Sequence, residues 1–168
     1  MMPNAAPPMR ILDLGCGTGL SGEAFADLAA GGRLDGIDLS SGMIEEARRR
    51  NIYSDLMVED FETALAVPGL SYDLIIAGDA LIYHGDLAPV LSGAARRLDP
   101  KGFCLFTVEK MAGDGWEQTP ANRFRHSEAY LRSCAEKSGF AVTEIVDCAL
   151  RSESNTPVEG FVVALRKA

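Results

Sequence analysis

The sequence is poor in the residues that build metal and disulfide sites. It has two histidines and four cysteines in 168 residues. The cysteines, at Cys16, Cys104, Cys134 and Cys148, are widely separated and form no C-x-x-C pair. This distribution argues against a zinc site or a disulfide framework and favours a reducing, cytoplasmic setting. We therefore predict no metal site.

Long apolar runs are missing as well, since the longest are far too short to cross a bilayer. Residues 1–9 are rich in proline and lack the charged end followed by an apolar block that marks a secretory signal. A net charge of −8 argues against contact with the phosphate backbones of nucleic acids. We expect a disordered lead-in over residues 1–8, one domain over residues 9–168, and a small molecule or a protein as substrate, without a membrane or nucleic-acid partner.

Glycines are concentrated in one stretch near the start of the chain. Residues 11–14 form a short run, Ile-Leu-Asp-Leu, and Gly15, Gly17 and Gly19 follow at intervals of two. The pattern predicts a buried strand, a tight turn and a helix, and a turn without Cβ atoms lets backbone N–H groups approach a ligand. The NAD-binding pattern G-x-G-x-x-G would place its third glycine at Leu20. The spacing departs from that pattern and leaves an NAD-dependent oxidoreductase as a disfavoured alternative.

Acidic residues lie at or near the ends of three predicted strands. Asp13 precedes the glycine turn, where its charge would repel a pyrophosphate but suit a ligand that carries an ammonium and a sulfonium. Asp38 can accept hydrogen bonds from both hydroxyls of a ribose, or it caps the next helix. The Asp60 carboxylate and the Phe61 N–H match the exocyclic amine and N1 of adenine. The three positions together predict S-adenosylmethionine as the ligand.

Further candidates follow the second and fourth predicted strands. Leu39 and Met43 are candidates for one wall of an adenine slot, although Met43 is nearly as consistent with the core. Residues 72–79 predict a central strand that is buried on both faces. Gly78 permits close approach of the methionine part of the ligand, and Asp79 would border the methyl group. The predicted cofactor-binding residues are Asp13, Gly15, Cys16, Gly17, Gly19, Asp38, Leu39, Met43, Asp60, Phe61, Gly78 and Asp79.

Four motifs, in order along the chain, resemble one known family. D-L-G-C-G-T-G at residues 13–19 resembles the first motif of class I S-adenosylmethionine-dependent methyltransferases, and D-L-S-S-G-M-I-E-E-A-R, Y-D-L-I-I-A-G-D and L-D-P-K-G follow as in that family. The resemblance is closest to the ubiquinone-biosynthesis-type group. A-G-D-A-L-I-Y-H-G-D-L and R-F-R-H-S-E-A-Y-L-R-S-C-A-E-K-S-G-F resemble predicted methyltransferases fused to tetratricopeptide repeats. The resemblance implies a methyltransferase of a small molecule or a protein side chain.

The order of elements predicts an α/β fold of the Rossmann-like, doubly wound type in three α/β/α layers. Seven strands are expected, at residues 11–14, 34–39, 56–59, 72–79, 103–108, 142–150 and 158–166, mostly parallel and with a C-terminal antiparallel hairpin. Residues 98–102 predict a turn. Residues 110–126 predict a long loop, either a substrate lid or merely flexible. Residues 48–50, all arginine, are interpreted as a solvated helix end that matches the helix dipole.

The sequence alone identifies no catalytic residue. Methyl transfer requires mainly proximity, alignment and exclusion of water. If the acceptor must lose a proton, His84 and His126 are candidate bases and Tyr83 and Glu109 candidate orienting groups, although a lone histidine is more often structural. The resemblance also implies substrate-covering helices before the first strand, which this sequence lacks. The active site is therefore expected to be open, or to be covered by a homodimer or a partner chain. The alternative function is that of a non-catalytic S-adenosylmethionine-binding subunit that needs a partner chain.

Overall fold

The computed structural model describes residues 7–168, so the first six residues of the predicted lead-in lie outside the described part. The described strands are β1 (Arg10–Leu14), β2 (Arg33–Asp38), β3 (Asp55–Val58), β4 (Tyr72–Ala77), β5 (Leu98–Lys110), β6 (Trp116–Gln118), β7 (Phe124–His126), β8 (Phe140–Glu153) and β9 (Thr156–Lys167). The helices are α1 (Leu20–Ala29), α2 (Ser41–Arg49), α3 (Phe61–Ala66), α4 (Ala88–Arg97) and α5 (Glu128–Lys137), with a short 3-10 helix at Leu81–Tyr83. None of the helices in residues 7–168 is long and apolar enough to cross a membrane.

All nine strands belong to one sheet with β1 in its middle. Strands β3, β2, β1, β4 and β5 run parallel in that order. Strand β9 pairs antiparallel with β5, and β8 pairs antiparallel with β9. The chain order of the strands therefore reverses on the two sides of β1. Ligands of open α/β sheets bind outside the carboxyl ends of the strands at such a reversal.

Helices cover both faces of the sheet. Successive side chains of β1 point to opposite faces, so each face has apolar side chains that a helix can bury. Leu12 and Leu14 are buried in a core that includes residues of α3, α4 and α5. Ile11 is buried on the opposite face, in a core to which α1 contributes. The mostly parallel α/β fold in three layers, with its C-terminal antiparallel hairpin, is confirmed.

Two strands lie where the sequence predicts a loop. Strands β6 and β7 pair antiparallel with each other, and β7 also pairs parallel with Glu109 and Lys110 at the end of β5. His126 is fully buried, and its Nε2 lies 2.9 Å from the carbonyl oxygen of Gly85. The segment is thus tied to the sheet. The prediction of a long loop over residues 110–126, and with it a count of seven strands, is wrong.

The predicted turn at residues 98–102 lies inside β5. Leu98 already pairs with Tyr72, and the register then shifts so that Leu74 pairs with Phe103. The additional residues of β5 are accommodated at Lys101, which has a φ of 67°. The turn chemistry of this stretch therefore produces an irregularity within a strand rather than a connection between elements.

The C-terminal hairpin is longer than predicted. It reverses at Ser154 and Asn155, whose φ values of 48° and 61° suit a two-residue hairpin turn. Strand β9 pairs with β5 only from Gly160 to Arg166. The tip of the hairpin therefore projects beyond the end of β5, on the side of the sheet where the parallel strands end.

Candidate functional site

A cavity of about 870 Å³ lies beyond the carboxyl ends of β1, β2 and β4. Ten of the twelve predicted binding residues line it, namely Gly15, Cys16, Gly17, Asp38, Leu39, Met43, Asp60, Phe61, Gly78 and Asp79. Tyr83 and His84 line it as well. Residues that are far apart in the sequence therefore meet in one place, because the parallel strands deliver their carboxyl ends to one edge of the sheet.

The glycine turn forms the floor of this cavity. Gly15 and Gly17 have φ values of 63° and 52°, which favour glycine. A Cβ on Gly15 would lie 2.6 Å from the Cβ of Ala80, so glycine is needed there for close packing of two loops. A Cβ on Gly17 would meet no described atom within 4 Å. Gly17 is therefore the point at which a ligand can approach the backbone.

Asp38 links the turn to strand β2. Its Oδ2 accepts a hydrogen bond from the Gly17 N–H at 2.9 Å, and its Oδ1 accepts one from the Ser40 N–H at 2.8 Å. A carboxylate has about four acceptor positions, so each oxygen keeps capacity for a further donor. Asp38 thus fixes the turn and can still accept hydrogen bonds from a ligand in the cavity.

One side of the cavity combines apolar walls with a helix cap. Leu39 and Met43 are 70% and 44% exposed, whereas the Phe61 ring is buried. The Asp60 Oδ1 accepts a hydrogen bond from the Thr63 N–H at 2.9 Å, which makes Asp60 the N-cap of α3. A slot therefore lies between the exposed apolar side chains of Leu39 and Met43 and the buried Phe61 ring. The Asp60 carboxylate lies at the edge of this slot.

The opposite side of the cavity is built on Asp79. Its φ of 56° is uncommon outside glycine, and such backbone strain is concentrated at functional sites. The Asp79 N–H donates to Oγ1 of Thr107 at 2.9 Å, and its Oδ1 lies 2.7 Å from a guanidinium nitrogen of Arg151. Asp79 is therefore held from both β5 and the C-terminal hairpin.

Comparison with known proteins identifies the family. Residues 11–102 match the sequence profile of a family described as "Methyltransferase domain". The chain belongs to this methyltransferase family. Those residues contain β1 to β4 and most residues that line the cavity.

Two curated relatives show how far the likeness extends. The chain is 28% identical over 155 residues to malonyl-[acyl-carrier protein] O-methyltransferase of Serratia marcescens, which covers 86% of the chain and 59% of that protein. It is 33% identical over 136 residues to trans-aconitate 2-methyltransferase of Methylobacterium nodulans, which covers 81% of the chain and 48% of that protein. The chain thus matches about half of the length of these relatives.

A solved structure shows the same fold. The crystal structure of 1,6-didemethyltoxoflavin-N1-methyltransferase from Burkholderia thailandensis, with bound 1,6-didemethyltoxoflavin and S-adenosylhomocysteine, matches with a TM-score of 0.76. The sequences are 18% identical, and the match covers 96% of this chain and 72% of the other. The Rossmann-like methyltransferase fold predicted from the sequence is therefore confirmed.

The acid of the first family motif is not at the cavity surface. Asp13 has no exposed surface, and the Tyr53 hydroxyl donates to its Oδ2 at 2.7 Å. Its Oδ1 has no hydrogen-bond partner among residues 7–168. Burial raises the pKa of Asp13 to about 7, against the lowering effect of the Tyr53 hydroxyl. The predicted direct contact between Asp13 and a ligand is therefore wrong. Asp13 lies behind the glycine turn, where it accepts the hydrogen bond from Tyr53.

Gly19 also lies away from the cavity, because it serves packing. A Cβ there would lie 2.8 Å from Cδ of Arg50 and 3.1 Å from the Tyr53 ring. Arg50 donates from Nε to the Thr18 carbonyl oxygen at 2.5 Å and pairs with Glu23. The interpretation of all three arginines as a solvated helix end is thus wrong for Arg50, which clamps the family's glycine turn.

Two of the four candidate catalytic residues are excluded from the cavity. Burial lowers the pKa of His126, and its ring bonds to the Gly85 carbonyl oxygen. Glu109 is 1% exposed and is surrounded by arginines. Neither can act on a ligand in this cavity. His84 does line it, with Nε2 at 3.2 Å from Glu62, and the exposed Tyr83 is its neighbour.

Several residues that line the cavity are absent from the sequence-based set. They are Thr18, Leu20, Ser21, Ser40, Ala80, Thr107 and Leu150. Thr18 belongs to the glycine turn, and Leu20 and Ser21 to the first turn of α1, so all three could be inferred from their position in or directly after the glycine motif. Thr107 and Leu150 have no local signal, because β5 and the hairpin bring them in from distant parts of the sequence.

Gly17→Ala is predicted to weaken the binding of S-adenosylhomocysteine about tenfold. The methyl group would project into the cavity at the point where a ligand approaches the backbone. The positive φ costs an L-residue about 1–2 kcal/mol, which lowers stability rather than affinity. Titration calorimetry measures the binding change. Gly113→Ala is the matched control, because Gly113 also has a positive φ, with open space around its Cβ position, but lies outside the cavity. Equal affinity in the Gly17 variant and the wild type would contradict a ligand contact at this position.

Proposed function

We propose that the chain is an S-adenosylmethionine-dependent methyltransferase that acts on a small-molecule acceptor. The observation that carries the proposal is the meeting of the open Gly17 backbone and the Asp38 carboxylate at one cavity. A cavity of about 870 Å³ is within the range of ordinary small-molecule sites. Membership in the methyltransferase family supports the same function.

The cavity residues suit the parts of this cofactor. Asp38 has acceptor capacity for the ribose hydroxyls, and the slot between Leu39, Met43 and Phe61 suits a flat nucleobase with the Asp60 carboxylate at its edge. The Asp79 carboxylate suits the positively charged ammonium group of the methionine part of the cofactor. S-adenosylmethionine, when bound, supplies a methyl group on a positively charged sulfur.

The residues on the Asp79 side then position the acceptor. Tyr83, Thr107 and Leu150 border this part of the cavity and would pack against an acceptor there, which keeps water from the reacting atoms. Among the described residues, His84 is the histidine that lines the cavity, and it would take a proton where the acceptor carries one. An acceptor that is already an anion needs no base, and these residues then act through alignment alone.

The names of the relatives indicate a class of acceptor. Both relatives named above act, by their names, on groups that are carboxylic acids, malonyl and trans-aconitate. This favours a small organic acid over a protein side chain. Membership in the ubiquinone-biosynthesis-type subgroup, a cytoplasmic location and a homodimer stay predictions.

Titration calorimetry with S-adenosylhomocysteine and NAD, side by side, tests the cofactor. We expect saturable binding of S-adenosylhomocysteine and no heat with NAD. Tighter binding of NAD would overturn the proposal in favour of an oxidoreductase. Labelled S-adenosylmethionine and a fractionated metabolite extract then test turnover. Binding without transfer to any fraction would indicate a cofactor-binding subunit that needs a partner.

A further inference from the structure

The C-terminal hairpin forms part of the cavity wall through an irregularity near its tip. The register between β8 and β9 shifts by one residue between Ala149 and Arg151, so Leu150 is an extra residue of β8, as at a β-bulge. Successive side chains of a regular strand point to opposite faces, whereas a bulge directs neighbouring side chains to one side. Leu150 lines the cavity, and the next residue, Arg151, reaches Asp79 in the same cavity. The bulge therefore turns two consecutive side chains toward the cavity.

Gly160 on β9 makes room for the Leu150 side chain. A Cβ on Gly160 would lie 2.5 Å from Cγ of Leu150 and 2.6 Å from the carbonyl oxygen of Val108. Gly160 lies opposite Glu109 at the end of β5, and Thr107, two residues earlier on β5, lines the cavity together with Leu150. The Leu150 side chain is thus seated across β9, and it reaches the part of the cavity beside β5.

The Arg151 side chain holds the hairpin tip in this position. Its guanidinium group donates to Oδ1 of Asp79 at 2.7 Å and to Oε1 of Glu153 at 2.9 Å, and it also pairs with the buried Glu109. Hydrogen bonds between charged partners are strong and fix the geometry of a guanidinium group. Because its three nitrogens all meet carboxylates, Arg151 anchors the tip to β5 and to the cavity and is not itself a site for a ligand.

Leu150 borders the side of the cavity on which the acceptor must approach. The Asp79 N–H donates to Oγ1 of Thr107 at 2.9 Å, and both residues line the cavity with Leu150. In the proposed function the nucleobase lies beside Phe61 and the ribose at Asp38. The ribose of S-adenosylmethionine separates the base from the sulfonium, so the sulfonium and its methyl group lie toward Asp79. Leu150 is then next to the space beside the transferred methyl group.

We propose that Leu150 is a specificity-determining residue, which limits the size of the group that can occupy the space beside the transferred methyl group. Arg151 is the positioning residue that holds Leu150 there. The inference rests on the proposed function and deepens it, because it names a property of the acceptor. The site selects an acceptor whose reacting atom is unhindered on the side that meets the branched, apolar Leu150 side chain.

Titration calorimetry with two stable analogues of the cofactor tests the proposal without knowledge of the acceptor. In both analogues a protonated tertiary amine replaces the sulfonium, and it carries a methyl group in one and a benzyl group in the other. The measured quantity is the ratio of the Kd of the benzyl analogue to that of the methyl analogue. We expect the wild type to bind the benzyl analogue at least about tenfold more weakly, since a bulky group is rejected by a filled site.

Leu150→Ala should lower this ratio at least about fivefold, because it opens the wall beside the benzyl group. Leu150→Val, which keeps a side chain suited to a strand, should give an intermediate ratio. Leu39→Ala is the matched control, because Leu39 lines the same cavity at the nucleobase slot. It should change the affinity for both analogues alike and leave the ratio as in the wild type.

Arg151→Gln should also lower the ratio, because the hairpin tip loses its anchor. Arg132→Gln is its control, since Arg132 is an exposed arginine on α5 that pairs with Glu128 outside the cavity. Thermal unfolding shows that each variant is folded.

Equal binding of the two analogues by the wild type, or a wild-type ratio in both Leu150 variants, would overturn the role of Leu150. A ratio in Arg151→Gln equal to that in Arg132→Gln would overturn the role of Arg151. The failure of the proposed function would appear differently, as no binding of the methyl analogue to the wild type, and it would overturn the inference as well.

Discussion

Asp38→Ala is expected to weaken the binding of S-adenosylhomocysteine by at least about a hundredfold. In the proposed site the variant loses the acceptor for two ribose hydroxyls, and hydrogen bonds to a charged group contribute about 1.5–3 kcal/mol each. It also loses the two bonds that join the glycine turn and α2, to the N–H groups of Gly17 and Ser40. Titration calorimetry measures the affinity, and thermal unfolding shows how much of the loss accompanies a loosened turn.

Asp55→Ala is the control for this variant. Asp55 is an exposed aspartate at the start of β3, the opposite end of the parallel strands from the cavity, and it lies 3.9 Å from Arg33. An exposed ion pair contributes about 0–1 kcal/mol, so this change should leave both affinity and stability nearly unaltered. An Asp38 variant that binds as tightly as the Asp55 variant would remove Asp38 from the ligand site.

The framework of the site could be predicted because it depends on local patterns. The apolar run at residues 11–14, the glycine turn and the following helix specify β1 and α1. Asp38 and Asp60 could be placed beside that turn because strands in a parallel α/β fold end at one edge. Asp60 also caps α3, which the sequence analysis does not predict. This cap is compatible with a carboxylate at the edge of the cavity.

The predicted contact between Asp13 and a ligand is wrong because side chains alternate along β1. Leu12 and Leu14 face the core of α3, α4 and α5, so Asp13, between them, faces the other layer with Ile11. Its partner Tyr53 comes from 40 residues away. The period of two along the strand could have indicated the direction, but no local pattern identifies the partner.

The β6–β7 hairpin and the ion pairs of Glu109 depend on contacts between distant parts of the chain. Strands β6 and β7 have three residues each, and polar side chains are common in them. They are strands because they pair with each other and because β7 pairs with the end of β5. The intrinsic strand preference of their residues does not reveal this pairing. Glu109, Arg123 and Arg151 likewise meet only after the C-terminal hairpin has folded over β5.

Tyr53→Phe is expected to lower both the stability of the fold and its affinity for S-adenosylhomocysteine. Glycines of three elements make room for the Tyr53 ring: Gly19 at the turn, Gly22 in α1 and Gly36 in β2. The hydroxyl ties this ring to Asp13 directly behind the turn. Its removal leaves a buried carboxyl without that donor, at a cost of about 2 kcal/mol, and we expect an affinity about fivefold weaker.

The loss of stability should depend on pH. Burial raises the pKa of Asp13 from 3.8 to about 7 in the folded protein, so the folded state binds more protons than the unfolded chain between these values. The free energy of unfolding therefore falls as pH rises through this range. The Tyr53 hydroxyl favours the charged carboxylate, and the variant should raise the pKa of Asp13 further. Denaturant unfolding should thus show a larger difference from the wild type at pH 8 than at pH 5.

Tyr72→Phe separates the effect on the turn from a general loss of stability. The Tyr72 hydroxyl donates to the buried Asp35 at 2.8 Å, so the same chemical group is removed from the same kind of partner. Tyr72 and Asp35, however, lie near the starts of β4 and β2, at the edge of the sheet opposite the cavity. Both variants should lose stability, but only Tyr53→Phe should bind S-adenosylhomocysteine more weakly. Equal affinities in the two variants would show that Tyr53 stabilises the fold without positioning the glycine turn.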